Sequence, residues 1–593
     1  MMSQRLTALR RILRPLLPGA GLWLLLSGML LWLHRAWPPD ETRLLAVAWE
    51  MWSQHFTLIP VLNNQVDATQ MPMVPWLLML MWKAFGVHAW CLQVLGAVFG
   101  LATLMVSSRI ATYLWMDQIE MPRYVPVILM GTWFWIVALG IAPQASALAF
   151  FVSLAILGIL RAWRYSTRAG WLVFGLATGA AILTSGLVAL VYVLPVALAG
   201  PLWAGREHAL LWRHWYLDLG SGAGLALGVV VLWGMLVVNA YGMDYALAYL
   251  AGALPVSSAF WPQHWPRYTY LLLPLPLLLP WAAWPLVYQR LWHALRQHPG
   301  IGAGFVLWWV LPALVLLMLI TVPQPQWLVP LMPAGAMIIA YPLLNEELFD
   351  HTEGRLLLSL IPPLVIGGFV VASAAPLLSG AWVGLVGADH ILYAGLAAAG
   401  IGVLAALLPR LSWPLRTVLV VAGLLTAAVS VLPTIPVVST ALSQVPPWAG
   451  IVAAVVAVVS AWTPQLSFHV RIIKIGALNL VLALALLAGA GVRLFPSSVL
   501  DGPAALLSAA QARGEPIAHV GTYDGRYSFA ARLQKPVVEL GPGQVAQWAA
   551  RHPGGVVVAD TIPLDPPAAP AFEARSLRGQ VRVWRANTLA SFR

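Results

Sequence analysis

Apolar runs of roughly 18 to 25 residues recur along most of the chain, and no other feature narrows its possible folds as far. Each run is long enough to cross a hydrocarbon core of about 30 Å as a helix. Runs of this length are unlike the strand-length alternation of a membrane barrel, so closed helices are the spanning form. The charge content agrees, at 9% of residues against roughly 25% in an ordinary soluble domain. The chain therefore reads as an all-α polytopic membrane protein.

The formal net charge of +12 would suit a nucleic-acid partner if it lined one face. Its basic residues instead occupy short loops between apolar runs, the signature of positive-inside sorting, so no nucleic acid is expected. The opening MMSQRLTALRRILRP is basic, and the run from Leu16 to Trp37 carries no small-residue cleavage site, which reads as a retained first helix. The single cysteine, Cys91, lies in an apolar stretch. It excludes a disulfide framework and reads as an inert helix residue.

Orientation follows from Lys and Arg in the loops. Arg5, Arg10, Arg11 and Arg14 place the N-terminus in the cytoplasm, so the first helix delivers Asp40 to the outside. Spans are expected at 16–36, 88–107, 124–140, 144–162, 170–203 (crossing twice), 219–240, 269–288, 302–320, 327–344, 356–378, 390–408, 417–434, 448–462 and 475–492. That makes about 13 to 15 crossings, with Arg109, Arg161, Arg164, Arg168, Arg206, Arg213, Arg290, Arg296, Arg410, Arg416, Arg471 and Lys474 all inside.

Beyond about Asp501 the polarity becomes ordinary. Short β-like runs such as VVVAD alternate with helical stretches such as VAQWAARH, which reads as a small α/β domain over 500–593 on the outer face. The transmembrane domain is then 1–495. Two of its outer loops, 37–87 and 241–268, are longer than connections require and rich in Trp, Tyr and Pro. Such loops suggest a site at the membrane interface.

The first of these loops holds the densest chemistry. In PPDETRLLAVAWEMW, Asp40, Glu41, Arg43 and Glu50 stand together in a chain with few charges. Leu44, Ala48, Met51 and Trp52 share one helical face. Asp40 and Glu41 then open a helix, where carboxylates at the positive end stabilise by about 0.3–1 kcal/mol. The same carboxylates, beside apolar walls just outside a bilayer, also suit a general base or electrostatic stabiliser acting on an amphiphile.

Over residues 40–105, the pattern Asp40, Glu41, Arg43, Glu50, Met51, Pro60, Asn63, Pro72, Trp76, Leu77, Phe85 and Gly86 resembles, without a gap, the first outer loop of the aminoarabinose transferase and protein O-mannosyltransferase group. Those are glycosyltransferases of the GT-C fold that use polyprenyl-phosphate sugars. GLATGAAILTSGLVAL, TYLLLPLPLLLPW and QPQWLVPLMP are similar to later segments of the same group. The resemblance implies an enzyme of the bacterial inner membrane with a periplasmic C-terminal domain. Its donor would be a polyprenyl-phosphate-linked sugar such as aminoarabinose, and its acceptor lipid A, a glycan or a protein. It implies inversion, with Asp40 activating the acceptor and Glu41 beside it.

Three lysines that the resemblance assigns to phosphate binding are missing. The family's Glu-Lys falls on Thr69 and Gln70, its second Lys on Ser185, and its third near Val322 or Pro323. Candidate substrate-binding replacements are Arg43, Asp67, Gln70, Lys83, His264 and Arg267. Residues such as Arg43, Lys83 and Arg267 are more often snorkelling or salt-bridged than ligands of phosphate, and a loop carboxylate such as Asp67 is usually just solvated. His264 leaves a divalent metal ion open as a cofactor. Two other classes compete, a lipid or sugar transporter and a non-catalytic lipid-binding relative. Charges clustered in outer loops, away from the middle of the helices, favour the enzyme.

Overall fold

The computed structural model describes residues 40–55, 57–132, 142–204, 212–251, 300–320, 324–344, 498–560, 568–576 and 579–589, with isolated positions elsewhere. Helix α1 (Asp40–Ser53) is followed by a hairpin of β1 (Val61–Leu62) and β2 (Gln65–Val66), then by α2 (Met73–Phe85). The bundle continues with α3 (Trp90–Leu114), α4 (Met121–Met130), α5 (Pro143–Tyr165), α6 (Arg168–Ser185), α7 (Ala189–Leu198), α8 (Trp212–Tyr241), α9 (Met243–Ala251), α10 (Ile301–Ile320) and α11 (Met332–Leu344). At 1.5 Å per residue, α3 alone is roughly 37 Å long, enough to cross a bilayer. Six apolar stretches among the described residues are long enough to do so. They fall on the spans expected at 88–107, 144–162, 170–203, 219–240, 302–320 and 327–344. The spans expected at 16–36, 269–288, 356–378, 390–408, 417–434, 448–462 and 475–492 lie largely outside the described residues, as does most of the outer loop after Ala251.

The stretch from Arg168 to Trp203 doubles back. Helix α6 runs alongside α5 until the Gln144 side chain donates to the Thr184 carbonyl at 2.9 Å. Gly186, at φ +70°, then supplies a left-handed turn that a Cβ would resist. Helix α7 returns to the starting end, where the Trp203 ring meets Trp163 at 5.4 Å and Trp215 at 6.0 Å, and Trp215 meets Trp171 at 4.9 Å. Since Trp171 to Ser185 spans roughly 21 Å of helix, only a return pass brings Trp203 back beside Trp171's neighbours. This is the double crossing expected over 170–203.

Helices α5 and α6 approach closely because Gly158 and Gly170 face the partner's backbone. A Cβ at Gly158 would lie 2.6 Å from the Phe174 amide nitrogen, the small-residue contact through which membrane helices gain dispersion energy. Leu172, Leu176, Leu227, Leu232 and Leu236 remain exposed, as a lipid-facing surface requires. Arg109, Arg161, Arg164, Arg168 and Arg213 gather near the end marked by Trp163, Trp203 and Trp215. The α1 loop lies at the other end.

The C-terminal part forms a three-layer α/β unit. Its sheet has the order β4 (Val538–Leu540), β3 (Ile517–Val520), β5 (Val556–Ala559), β7 (Gly579–Arg585), β6 (Phe572–Ser576). The β3–β4 and β3–β5 pairs are parallel, and the β5–β7 and β6–β7 pairs antiparallel. Alternation puts Ile517, Val556, Val558, Val581 and Val583 with helix α12 (Ser498–Ala512) on one face. Ala518, Val520, Val557 and Trp584 pack with helix α13 (Val545–Arg551) on the other.

Candidate active site at the outer loop

Helix α1 forms where the sequence places it. Asp40 and Glu41 open it, and its buried face includes Leu44, Leu45, Ala48 and Met51. Carboxylates in a first turn are stabilised by amides that have no helical acceptor. Asp40 is half-buried and Glu41 is 1% exposed. Asp40 and Arg43 are neighbours on one face by their i, i+3 spacing.

Arg43 is engaged by a carboxylate of the same loop. Its Nε and Nη2 donate to Asp67 Oδ2 at 3.1 and 2.8 Å, and Nη2 also donates to Thr69 Oγ1 at 3.1 Å. The other carboxylate oxygen of Asp67 accepts from the Thr69 amide at 3.2 Å and hydroxyl at 2.5 Å. Asp67 is buried, at 6% exposure, so it is not the solvated loop residue that composition alone allowed. Thr69, one of the two residues standing where the resemblance implied Glu-Lys, completes this ion-pair network. The Gln70 amide donates to the Asp67 carbonyl at 3.2 Å, while its side-chain Oε1 has no partner among the described residues. Arg43, Asp67 and Gln70 thus form one neighbourhood, with Asp40 one turn of α1 from Arg43 and Glu41 buried on the same helix. Lys83 stands apart, exposed in the last turn of α2. His264 and Arg267 lie outside the described residues.

The loop backbone is fixed by donors from the bundle. Trp76 Nε1 donates to the Thr57 carbonyl at 2.6 Å, Trp233 Nε1 to Leu58 at 3.1 Å, and the Tyr249 hydroxyl to Pro60 at 3.0 Å. Buried carbonyls need such partners, and Trp and Tyr supply them on otherwise apolar walls. Burial and then the charge of Asp67 push the Tyr249 hydroxyl far up, so it keeps the proton that it donates to Pro60. Tyr249 belongs to the second long outer loop, and this contact joins the two loops.

Asn63 and Asn64 form the hairpin tip with φ of +55° and +62°. This is the left-handed pair that a two-residue turn demands and that Asn tolerates. Their amides donate to Glu50 Oε1 and Oε2 at 2.9 and 3.2 Å, tying the tip to α1. Burial pushes the Glu50 carboxyl up; the two amide bonds pull the other way, and Asp67 adds to the rise. Sequence reading placed Glu50 in the pattern without this anchoring role. The Asn-Asn pair between apolar residues was its available signal.

Among the described residues, no group of three His, Cys, Asp or Glu side chains could hold a metal ion. The Arg43–Asp67–Thr69 network, with its carboxylate already paired, does not offer a cation site.

No family model matches the chain. It is 27% identical over 341 residues to the undecaprenyl phosphate-alpha-4-amino-4-deoxy-L-arabinose arabinosyl transferase of Pseudomonas aeruginosa (strain UCBPP-PA14), covering 53% of this chain and 56% of that protein. It is 25% identical over 359 residues to the corresponding transferase 2 of Pseudomonas fluorescens (strain Pf0-1), covering 57% and 60% respectively. The chain thus spans little more than half the length of the curated relatives it matches. Structural likeness reaches further. ArnT from Cupriavidus metallidurans bound to undecaprenyl phosphate superposes with a TM-score of 0.62 at 17% identity, over 95% of this chain and 97% of that one. Its apo form gives 0.64 at 16% identity, over 97% and 98%. The chain thus shares the fold of these two structures along nearly its whole length, and over about half of it the sequence is similar to the aminoarabinose transferases.

Proposed function

We propose that the chain is an inner-membrane glycosyltransferase that moves a sugar of the aminoarabinose type from a polyprenyl phosphate to a lipid acceptor such as lipid A. One observation carries this reading. On a fold shared with a protein crystallised with undecaprenyl phosphate, the Asp40 carboxylate stands half-buried in the first turn of α1, one turn from Arg43 and its partner Asp67. The arginine-rich end of the bundle is then cytoplasmic by the positive-inside rule, and α1 and the C-terminal domain are periplasmic.

In this reading Asp40 takes the proton from the acceptor hydroxyl or amine as that atom attacks the anomeric carbon. The bond from that carbon to the phosphate oxygen breaks, and the electron pair leaves with the polyprenyl phosphate. Attack opposite the leaving group inverts the centre. Glu41, buried beside Asp40, contributes fixed negative charge that favours the developing positive charge of the sugar. Arg43, held by Asp67, sets the position of the 67–70 turn and presents Gln70. The leaving phosphate would be met by cations beyond that network, for which Lys83, Arg267 and His264 are the candidates.

The test follows free polyprenyl phosphate by mass spectrometry, with purified wild type and Asp40→Asn supplied with polyprenyl-phosphate sugars and lipid A. Loss of a base is expected to lower turnover about 10²–10⁴-fold. Equal release from both proteins would remove Asp40 from the role of base. No release by wild type from any donor would overturn the transferase reading.

A further inference from the structure

The C-terminal domain grips the helix that carries Asp40. The Asn63 side chain accepts from the Val537 amide at 2.6 Å and donates to the Val537 carbonyl at 2.9 Å, across 474 residues of sequence. Trp49 Nε1, on α1, donates to the Leu533 carbonyl at 2.8 Å. Arg532 Nη2 donates to the Val87 carbonyl at 2.9 Å, and its guanidinium lies 4.0 Å over the Phe529 ring and 4.9 Å over Trp49. Phe529 itself stacks on Trp82 of α2, with ring centroids 5.4 Å apart. Gly525 lies so close that a Cβ there would sit 2.6 Å from Leu62 Cδ1 and 2.9 Å from Ala46 Cβ. Segment 525–537 thus meets α1 at Ala46 and Trp49, the hairpin at Leu62 and Asn63, and α2 at Trp82.

Asn63 is the hinge of this arrangement because it bonds in two directions. Its side chain holds Val537, while its amide and that of Asn64 hold Glu50 on α1. A displacement of the C-terminal domain is therefore passed through the hairpin tip to the helix whose first turn bears Asp40. The other end of that helix is held separately, by Arg43 on Asp67.

We propose that Asn63 is a positioning residue, and that the C-terminal domain, by clasping Asn63 and Trp49, holds α1 in the orientation that places Asp40 for the transfer. The domain is then a working part of the reaction centre. The kinetic half of this inference rests on the transferase reading; the mechanical half does not.

The test uses the full-length protein in nanodiscs and the variant Asn63→Gly. Glycine accepts the positive φ of the tip, so the turn and the backbone amides facing Glu50 are retained while both bonds to Val537 are lost. Each net hydrogen bond changes an equilibrium roughly 2- to 13-fold. Amide exchange in residues 40–53 is expected to quicken about tenfold with exchange in β3 and β5 unchanged. Donor turnover is expected to fall about tenfold with KM for the donor near wild type. Trp49→Phe, which removes the donor to Leu533 and keeps a smaller aromatic ring under Arg532, should shift both readouts the same way if Asn63→Gly fails to fold. Unchanged exchange in 40–53 would overturn the clasp. Faster exchange with unchanged turnover would overturn the positioning role. Faster exchange in a protein whose wild type turns over no donor would keep the clasp and sink the transferase reading instead.

Discussion

The Arg43–Asp67 pair makes a prediction whose asymmetry comes from burial. The Asp67 side chain is 4% exposed, whereas that of Arg43 is 32% exposed. Replacing Arg43 by Met leaves a buried carboxylate with only the Thr69 amide and hydroxyl as donors. An incompletely satisfied buried charge costs about 2–4 kcal/mol. Replacing Asp67 by Ala leaves a guanidinium with water on one side, and the cost falls to about 1–2 kcal/mol because solvent replaces the lost partner. The interaction term from the double variant should lie near 2 kcal/mol, between the values for exposed pairs and for fully desolvated charge-assisted bonds. Native-state amide exchange over residues 65–70 reads the opening free energy of this turn directly. The expected order is Arg43→Met more damaging than Asp67→Ala. Equal costs, or an interaction term below about 0.5 kcal/mol, would refute the view that this network is a desolvated tether.

Two further outcomes can be checked. Gly525 at φ +83° faces Leu62 and Ala46, so Gly525→Val combines left-handed strain of about 1–2 kcal/mol with overpacking of about 1–3 kcal/mol. Amide exchange over 521–537 should accelerate accordingly, and an unaltered pattern would show that the crowding relaxes at no cost. The C-terminal domain should have a stability plateau set by a buried pair, His519 Nε2 lying 2.8 Å from Asp560 Oδ1. Burial alone would raise Asp560, but the His519 bond and the Arg526 charge hold it down to about 2. Its contribution, on the order of 2–3 kcal/mol, is present above the usual carboxylate range and is lost as pH falls toward 2. For His519, burial opposes the charge and Asp560 outweighs it, so its value is raised. That contribution is complete below about pH 6.5 and fades as pH rises through the higher folded value. The denaturation midpoint of the domain should therefore decline on the alkaline side, and a midpoint that rises there would contradict the sign.

Sequence by itself determined the class of this protein. Twenty-residue apolar runs leave helices as the spanning form because lipid offers no partner to a backbone amide. Ordinary polarity, with short β-like runs such as VVVAD beside helical stretches such as VAQWAARH, marked the C-terminal α/β unit. The helix opened by Asp40 and Glu41 was legible from its acidic first turn and the shared face of Leu44, Ala48 and Met51. The double pass over 170–203 was legible from its length, which exceeds one crossing. Tertiary structure decided what local pattern could not. Asp67 looks like any loop carboxylate until Arg43, 24 residues earlier, is found on it. Asn63 reads as a turn residue, and nothing near it in sequence announces Val537. Periodicity reports which face of an element is buried, since burial repeats with the backbone. A single hydrogen bond between distant segments has no period. Its partners are chosen by how the folded surfaces meet, so the chain shows where its helices lie long before it shows which residues hold the outer loop in place.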